Sequence, residues 1–126
     1  MNFQAYKQYH ELMNNALNEL KPNVKTLGII NNNGKLVECV GTKFEISKDK
    51  QDILFMEFAL FNSMQQNFDQ DFGQVHYNVL TRKNLKVVTF PGSNNLLFFS
   101  ILAPEANPQQ IVPSLLHSLQ TDIIMA

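Results

Sequence analysis

An α/β domain of the α+β kind, built as three α-β-α layers around a five-stranded antiparallel sheet in the order α-β-β-α-β-β-β-α, is what this 126-residue sequence predicts. Three observations lead there. The chain opens on a helix that is apolar along one face only, and it continues through five short apolar runs separated by turn residues. Between the second and third runs, Ile53 to Phe68 is apolar over far more than one face.

From Phe3 to Leu20, apolar residues recur at Phe3, Tyr6, Tyr9, Met13, Ala16, Leu17 and Leu20, in the steps of three and four that mark an amphipathic helix. Pro22 ends it. Lys25 to Ile30 reads as a strand, Asn31, Asn32, Asn33 and Gly34 supply turn residues that tolerate positive φ, and Lys35 to Val40 returns as a second strand. Gly41 to Lys48 connects, and Ser47 or Asp49 can cap the next helix. In that helix Met56, Leu60, Ile53, Met64, Phe68, Phe61, Leu54 and Phe58 sweep an arc of roughly 200°, with Phe55 and Ala59 beyond it. A sheet covers a stripe of only about 100°, so the surplus calls for another element or another copy of the chain. Gly73 closes the helical region after Phe72.

Three strands follow, at Gln74 to Leu80, Asn84 to Phe90 and Leu96 to Ala103. In the first, Val75, Tyr77 and Val79 alternate with polar residues, a pattern suited to a sheet edge. The run from Leu96 to Leu102 scarcely alternates, which places it centrally, covered on both faces. Asn107 then offers an N-cap, with Pro108 at the first helical position and Gln110 three residues after the cap. The closing helix turns Ile111, Val112, Leu115, Leu116 and Leu119 inward. The middle helix is expected alone on one sheet face and the terminal helices on the other.

With 44% hydrophobic and 17% charged residues, the chain has apolar material for one core, so residues 1–126 are expected to form one domain. Ten basic residues against eleven acidic ones leave a formal net charge of -1, which attracts neither nucleic acid nor an anionic membrane. No stretch reaches the roughly 18 apolar residues of a membrane span, and the N-terminus lacks the apolar run of a signal peptide. Cys39 is the only cysteine, which excludes an internal disulfide framework and, with the previous points, predicts a cytoplasmic protein.

The chemistry-bearing residues are dispersed. His10, His76 and His117 fall on separate elements without metal-ligand spacing, and no glycine-rich phosphate loop is present. No catalytic residue, metal or cofactor is expected, and Cys39 reads as a small strand residue. Glu57 falls inside the apolar arc, where it would limit non-specific association or pair across an interface. Arg82, Lys83 and Lys86 form a basic corner, either protecting a strand edge or meeting an acidic partner.

The element order, the hairpin LGIINNNGKLVE, and the hairpin VVTFPGSNNLLFFSI followed by a helix opening at NPQQ resemble the roadblock/LC7 group, in particular its small archaeal members. Profilin-like and PAS-like folds share parts of this order. The resemblance implies a dimer in which middle helices pack together and edge strands join, acting as a scaffold for or regulator of a small GTPase. On the residues, a homodimer would be built from Leu54, Phe55, Phe58 and Phe61 of the helix with Val75, Tyr77 and Val79 of the edge strand. The competing reading is a small-molecule sensor, in which Phe55, Phe58, Phe61, Tyr77, Phe98 and Phe99 wall an apolar pocket.

Overall fold

The structure, a computed structural model, describes residues 3–119 and the side chains from residue 8 onward, so Phe3 and Tyr6 of the predicted stripe lie outside the described side chains. Helix α1 (Phe3–Leu20) leads into β1 (Val24–Ile30) and β2 (Leu36–Gly41), then α2 (Lys48–Gln65), which runs through a single 3-10 turn (Gln66–Phe68) into the short α3 (Asp69–Phe72). Strands β3 (Asn78–Thr81), β4 (Lys86–Pro91) and β5 (Leu97–Leu102) follow, and α4 (Pro108–Leu119) closes the described chain. All strand pairs are antiparallel in the order β2-β1-β5-β4-β3, so β5 is central, as its unbroken apolar run predicts, and β2 and β3 are the edges.

Alternation along the strands divides the core in two. On one face Tyr9, Met13, Ala16 and Leu17 of α1 and Ile111, Val112, Leu115 and Leu119 of α4 cover Leu27, Ile29, Phe98 and Leu102. On the other, α2 alone lays Phe55 and Ala59 over Ile30, Val87, Leu97, Phe99 and Ile101. The expected three layers are therefore present.

Local chemistry explains the boundaries. The Ser47 hydroxyl accepts the Lys50 N–H at 3.3 Å and starts α2, while Asn107 Oδ1 accepts the Gln109 N–H at 3.0 Å and starts α4. In the β1–β2 turn, Asn31 Oδ1 accepts the N–H groups of Asn33 and Lys35, and Gly34 takes φ of 79°. That turn leans on the helix: a Cβ at Gly34 would stand 2.7 Å from Met56 Cα.

One strand is shorter than the sequence predicts. The Gln74 to Leu80 pattern yields a ladder only from Asn78, which pairs with Thr89. Continued in the same register, Tyr77 would face Phe90 and His76 would face Pro91, which has no N–H to donate. The alternating residues before Asn78 therefore run as irregular chain.

Ser100, in the middle of β5, pairs in register with Leu27 and Val88 and so faces the α1/α4 core. Its hydroxyl is fully buried and, among the described residues, has no hydrogen-bond partner. Ser100→Ala removes that desolvated group at almost unchanged volume and is expected to stabilise the domain by about 1 kcal/mol, read as a higher denaturant midpoint at constant slope. An unchanged or lower midpoint would mean that the hydroxyl is satisfied.

Candidate functional site

The outward side of α2 and its continuation is where apolar surface collects. Ile53, Met56, Leu60, Phe61, Met64 and Phe68 are all more than half exposed, with Leu60 at 62%, and Phe72 beyond them reaches 85%. Phe68 and Phe72 stack on each other with ring centroids 6.3 Å apart. Beside this stripe a shallow groove of about 420 Å³ runs between Asn32 and Asn33 of the hairpin tip and Ile53, Met56 and Leu60 of the helix.

The interface set expected from the sequence divides on contact with its own fold. Phe55 is only 3% exposed; its ring lies 5.1 Å from Phe99 and 5.8 Å from Phe44, so it belongs to the protomer's core and not to a surface. Phe58, half-buried, joins the same cluster at 6.1 Å from Phe99, and Leu54 is half-buried. Phe61 is exposed. The reason is rotational: the sheet takes the side just beyond the apolar arc, where Phe55 and Ala59 sit, and leaves the centre of the arc outside.

The strand residues divide too. Val79 pairs with Val88 and Leu80 with Val87, and Val88 and Val87 lie in opposite halves of the core. Leu80 is thus the exposed residue on the α2 side, while Val79 faces the α1/α4 side; Val75 and Tyr77 precede the strand, half-buried and exposed respectively. Leu80 becomes legible only once it is known which face α2 covers. The Asn78 side chain ties the strand to the helix, its Nδ2 donating to Gln65 Oε1 at 2.7 Å, so edge and helix face form one surface.

The two sheet edges differ chemically. Helix α1 lies along β2, and the Cys39 N–H there donates to Glu38 Oε1 at 2.9 Å, with His10 Nδ1 3.3 Å from the same oxygen. Among the described residues, no backbone group outside the β4 ladder pairs with β3. The β3 edge is open.

Other sequence candidates resolve as follows. The six aromatic residues proposed to wall one pocket do not meet: Phe55, Phe58 and Phe99 pack under α2, Phe98 stacks on Phe90 at 5.2 Å across the sheet, and Phe61 and Tyr77 are exposed. Lys86 leaves the basic corner, its Nζ donating to the Ala106 carbonyl at 2.8 Å, whereas Arg82 and Lys83 are exposed. Glu57 is exposed beside the shallow groove. His10, His76 and His117 stand on α1, the segment before β3 and α4, and no metal-capable cluster of three occurs among the described residues. No helix among them is long and apolar enough to cross a membrane.

Cys39 is half-buried, and its thiol is pushed above the ordinary value of 9.0, first by burial and then by the Glu38 carboxylate. The native state thus holds its proton where the unfolded chain has released it, so this group's contribution to stability is intact below pH 9 and is lost as pH rises through the native value. Only the thiolate reacts with iodoacetamide, so alkylation at neutral pH is expected to be several times slower in the folded protein than in urea. Equal rates would show a thiol that ionises as readily in the fold as in the open chain.

The assembled architecture is similar to several solved structures. The chain superposes on the gliding protein MglB of Thermus thermophilus with a TM-score of 0.74, at 11% identity over 95% of this chain and 89% of that one. On a roadblock/LC7 domain from Streptomyces avermitilis the TM-score is 0.67, at 12% identity over 87% and 90%. On MglB of Myxococcus xanthus it is 0.75, at 9% identity over 94% and 87%. Likeness at such identities is likeness of fold, and the chain has the roadblock/LC7 fold. No protein-family model matches the chain, and no characterised protein matches it in sequence.

Proposed function

We propose that residues 1–126 form one non-catalytic interaction module of roadblock type, which pairs with a second copy of itself and offers the paired surface to protein partners in the cytoplasm. One observation carries this reading: the exposed apolar face of α2 and α3 meets, on the same side of the sheet, the edge strand β3, whose outer backbone groups pair with nothing among the described residues. A two-fold axis beside β3 would join the edges and stack the helices, covering both at once. Each Leu or Phe withdrawn from water contributes about 1.5 to 3 kcal/mol, and several such residues per chain outweigh the entropy of association.

The homodimer interface in this proposal is Ile53, Met56, Leu60, Phe61 and Met64 with Leu80, and Phe55 stays within its own core. The test is mass by light scattering or sedimentation at micromolar concentration, where a dimer is expected and a monomer overturns the proposal. The finer reading is that the dimer serves as a scaffold for a small GTPase, as the roadblock likeness implies. Titrating small GTPases of the same proteome, loaded with GDP or GTP, onto the immobilised protein tests it; saturable binding is expected, and absence of binding in both nucleotide states removes that partner.

A further inference from the structure

At the end of the sheet where α2 finishes lies a cleft of about 510 Å³ whose lining is rich in side-chain amides. It is framed by three segments far apart in sequence: the β1–β2 turn, the last turns of α2 with the chain that leads to β3, and the β4–β5 turn. Its rim carries Asn32, Asn62, Gln66, Gln74, Asn94 and Asn95, none of which makes a side-chain hydrogen bond to another described residue. Asn31, also on the rim, is different, since its oxygen is spent on the turn. Asp69 is the one ionisable residue of the lining, and no Lys, Arg or His reaches it.

Each free amide brings two donors and two acceptor positions, so the cleft offers dense, neutral, two-sided hydrogen bonding. That excludes several ligand classes by chemistry. A phosphate or carboxylate ligand would find no cation and a nearby carboxylate. A metal ion would find amide oxygens but a single carboxylate, Asp69, too little negative charge to offset its dehydration. A sugar would find hydroxyl partners but no exposed aromatic face, because Phe90, the one aromatic of the lining, is buried at 1% exposure. An extended peptide main chain fits: its alternating N–H and C=O groups match side-chain amides pairwise, without a charge of its own. Ala59, Leu96 and Leu97, all buried, give the lining its apolar part.

We infer that this cleft is a docking site for a short, extended, uncharged peptide segment of a partner protein, held through its main chain by the amides of α2 and the β4–β5 turn. The site lies within one chain and does not depend on self-association. It gives an interaction module a polar recognition surface that adjoins its apolar one at Asn32, Ala59 and Ser63.

Side-chain amides report directly in a two-dimensional nitrogen–proton NMR spectrum. The probe is a capped peptide of glycine, serine and asparagine, with maltotriose as the competing ligand and protein mass followed in parallel. Saturable shifts of the Asn62, Gln66 and Asn94 side-chain amides are expected with the peptide and not with the sugar. Asn62→Ala with Gln66→Ala, both at helical positions that tolerate alanine, is expected to weaken peptide binding by about tenfold or more while the mass stays unchanged. No saturation at millimolar peptide, equal binding by the double variant, or saturation by maltotriose alone would each overturn the inference. The parallel mass reading shows separately whether self-association stands.

Discussion

Gly28→Ala is expected to cost the domain about 3 kcal/mol of stability although it adds a single methyl group. Gly28 pairs in register with Phe99, whose ring lies across the glycine: a Cβ there would stand 2.1 Å from Phe99 Cζ. The penalty is steric and not conformational, because Gly28 is not among the glycines with positive φ. Nor has the ring anywhere to go, since Phe99 is fully buried and packed against Phe44, Phe55 and Phe58. With total stability of a small domain at about 5 to 15 kcal/mol, the loss would be plain in urea or thermal melts. Gly73→Ala is the contrasting case, with φ of 84°, ψ of 170° and nothing within 4 Å of its Cβ, so its loss, roughly 1 to 3 kcal/mol, is conformational, and no change at Phe99 should relieve it. Combining Gly28→Ala with Phe99→Leu should cost less than the sum of the single changes, because the smaller side chain makes room for the methyl group. Additive losses would mean that the two residues do not press on each other.

The second large effect concerns assembly. Leu60→Asp with Phe61→Asp places two charges per chain at the centre of the exposed helix face, where neither residue supports the core. Folding should be retained, with unchanged helical circular dichroism. The dissociation constant of the proposed dimer should rise by about a thousandfold or more, since each of the four half-exposed side chains in the two copies loses about 1 kcal/mol of further burial before any charge desolvation. Phe55→Asp behaves differently under the same geometry: it buries an unpaired carboxylate against Phe99 and Phe44 and should unfold the protomer. A double variant that sediments as the wild type does would move the interface away from α2. A folded, monomeric Phe55→Asp would restore that residue to the surface.

Most of the architecture was legible from local chemistry. Steps of three and four from Tyr9 to Leu20, asparagine and glycine turns at 31–34 and 92–95, the Ser47 and Asn107 caps and the unbroken run into Leu102 act within a few residues of themselves, and neighbours in sequence suffice to read them. The surplus of apolar surface on the middle helix was legible for the same reason: more residues compete for the sheet than a sheet covers. Which of them win was not. The rotation of α2 is decided by contacts distant in sequence, among them the Gly34 turn leaning on Met56 and the Phe44 and Phe99 rings that receive Phe55. In the same way Pro91 shortens β3 from across the ladder, and the Ala106 carbonyl draws Lys86 out of the basic corner. The amide cleft is the clearest case, because asparagines at 32, 62 and 94 carry separate local meanings as turn or helix residues. Only the folding of three segments to one end of the sheet makes them one surface. Periodicity and turn chemistry thus determined the elements and their layers, whereas the choice of buried face and the composition of each site rested on long-range packing that no window of sequence contains.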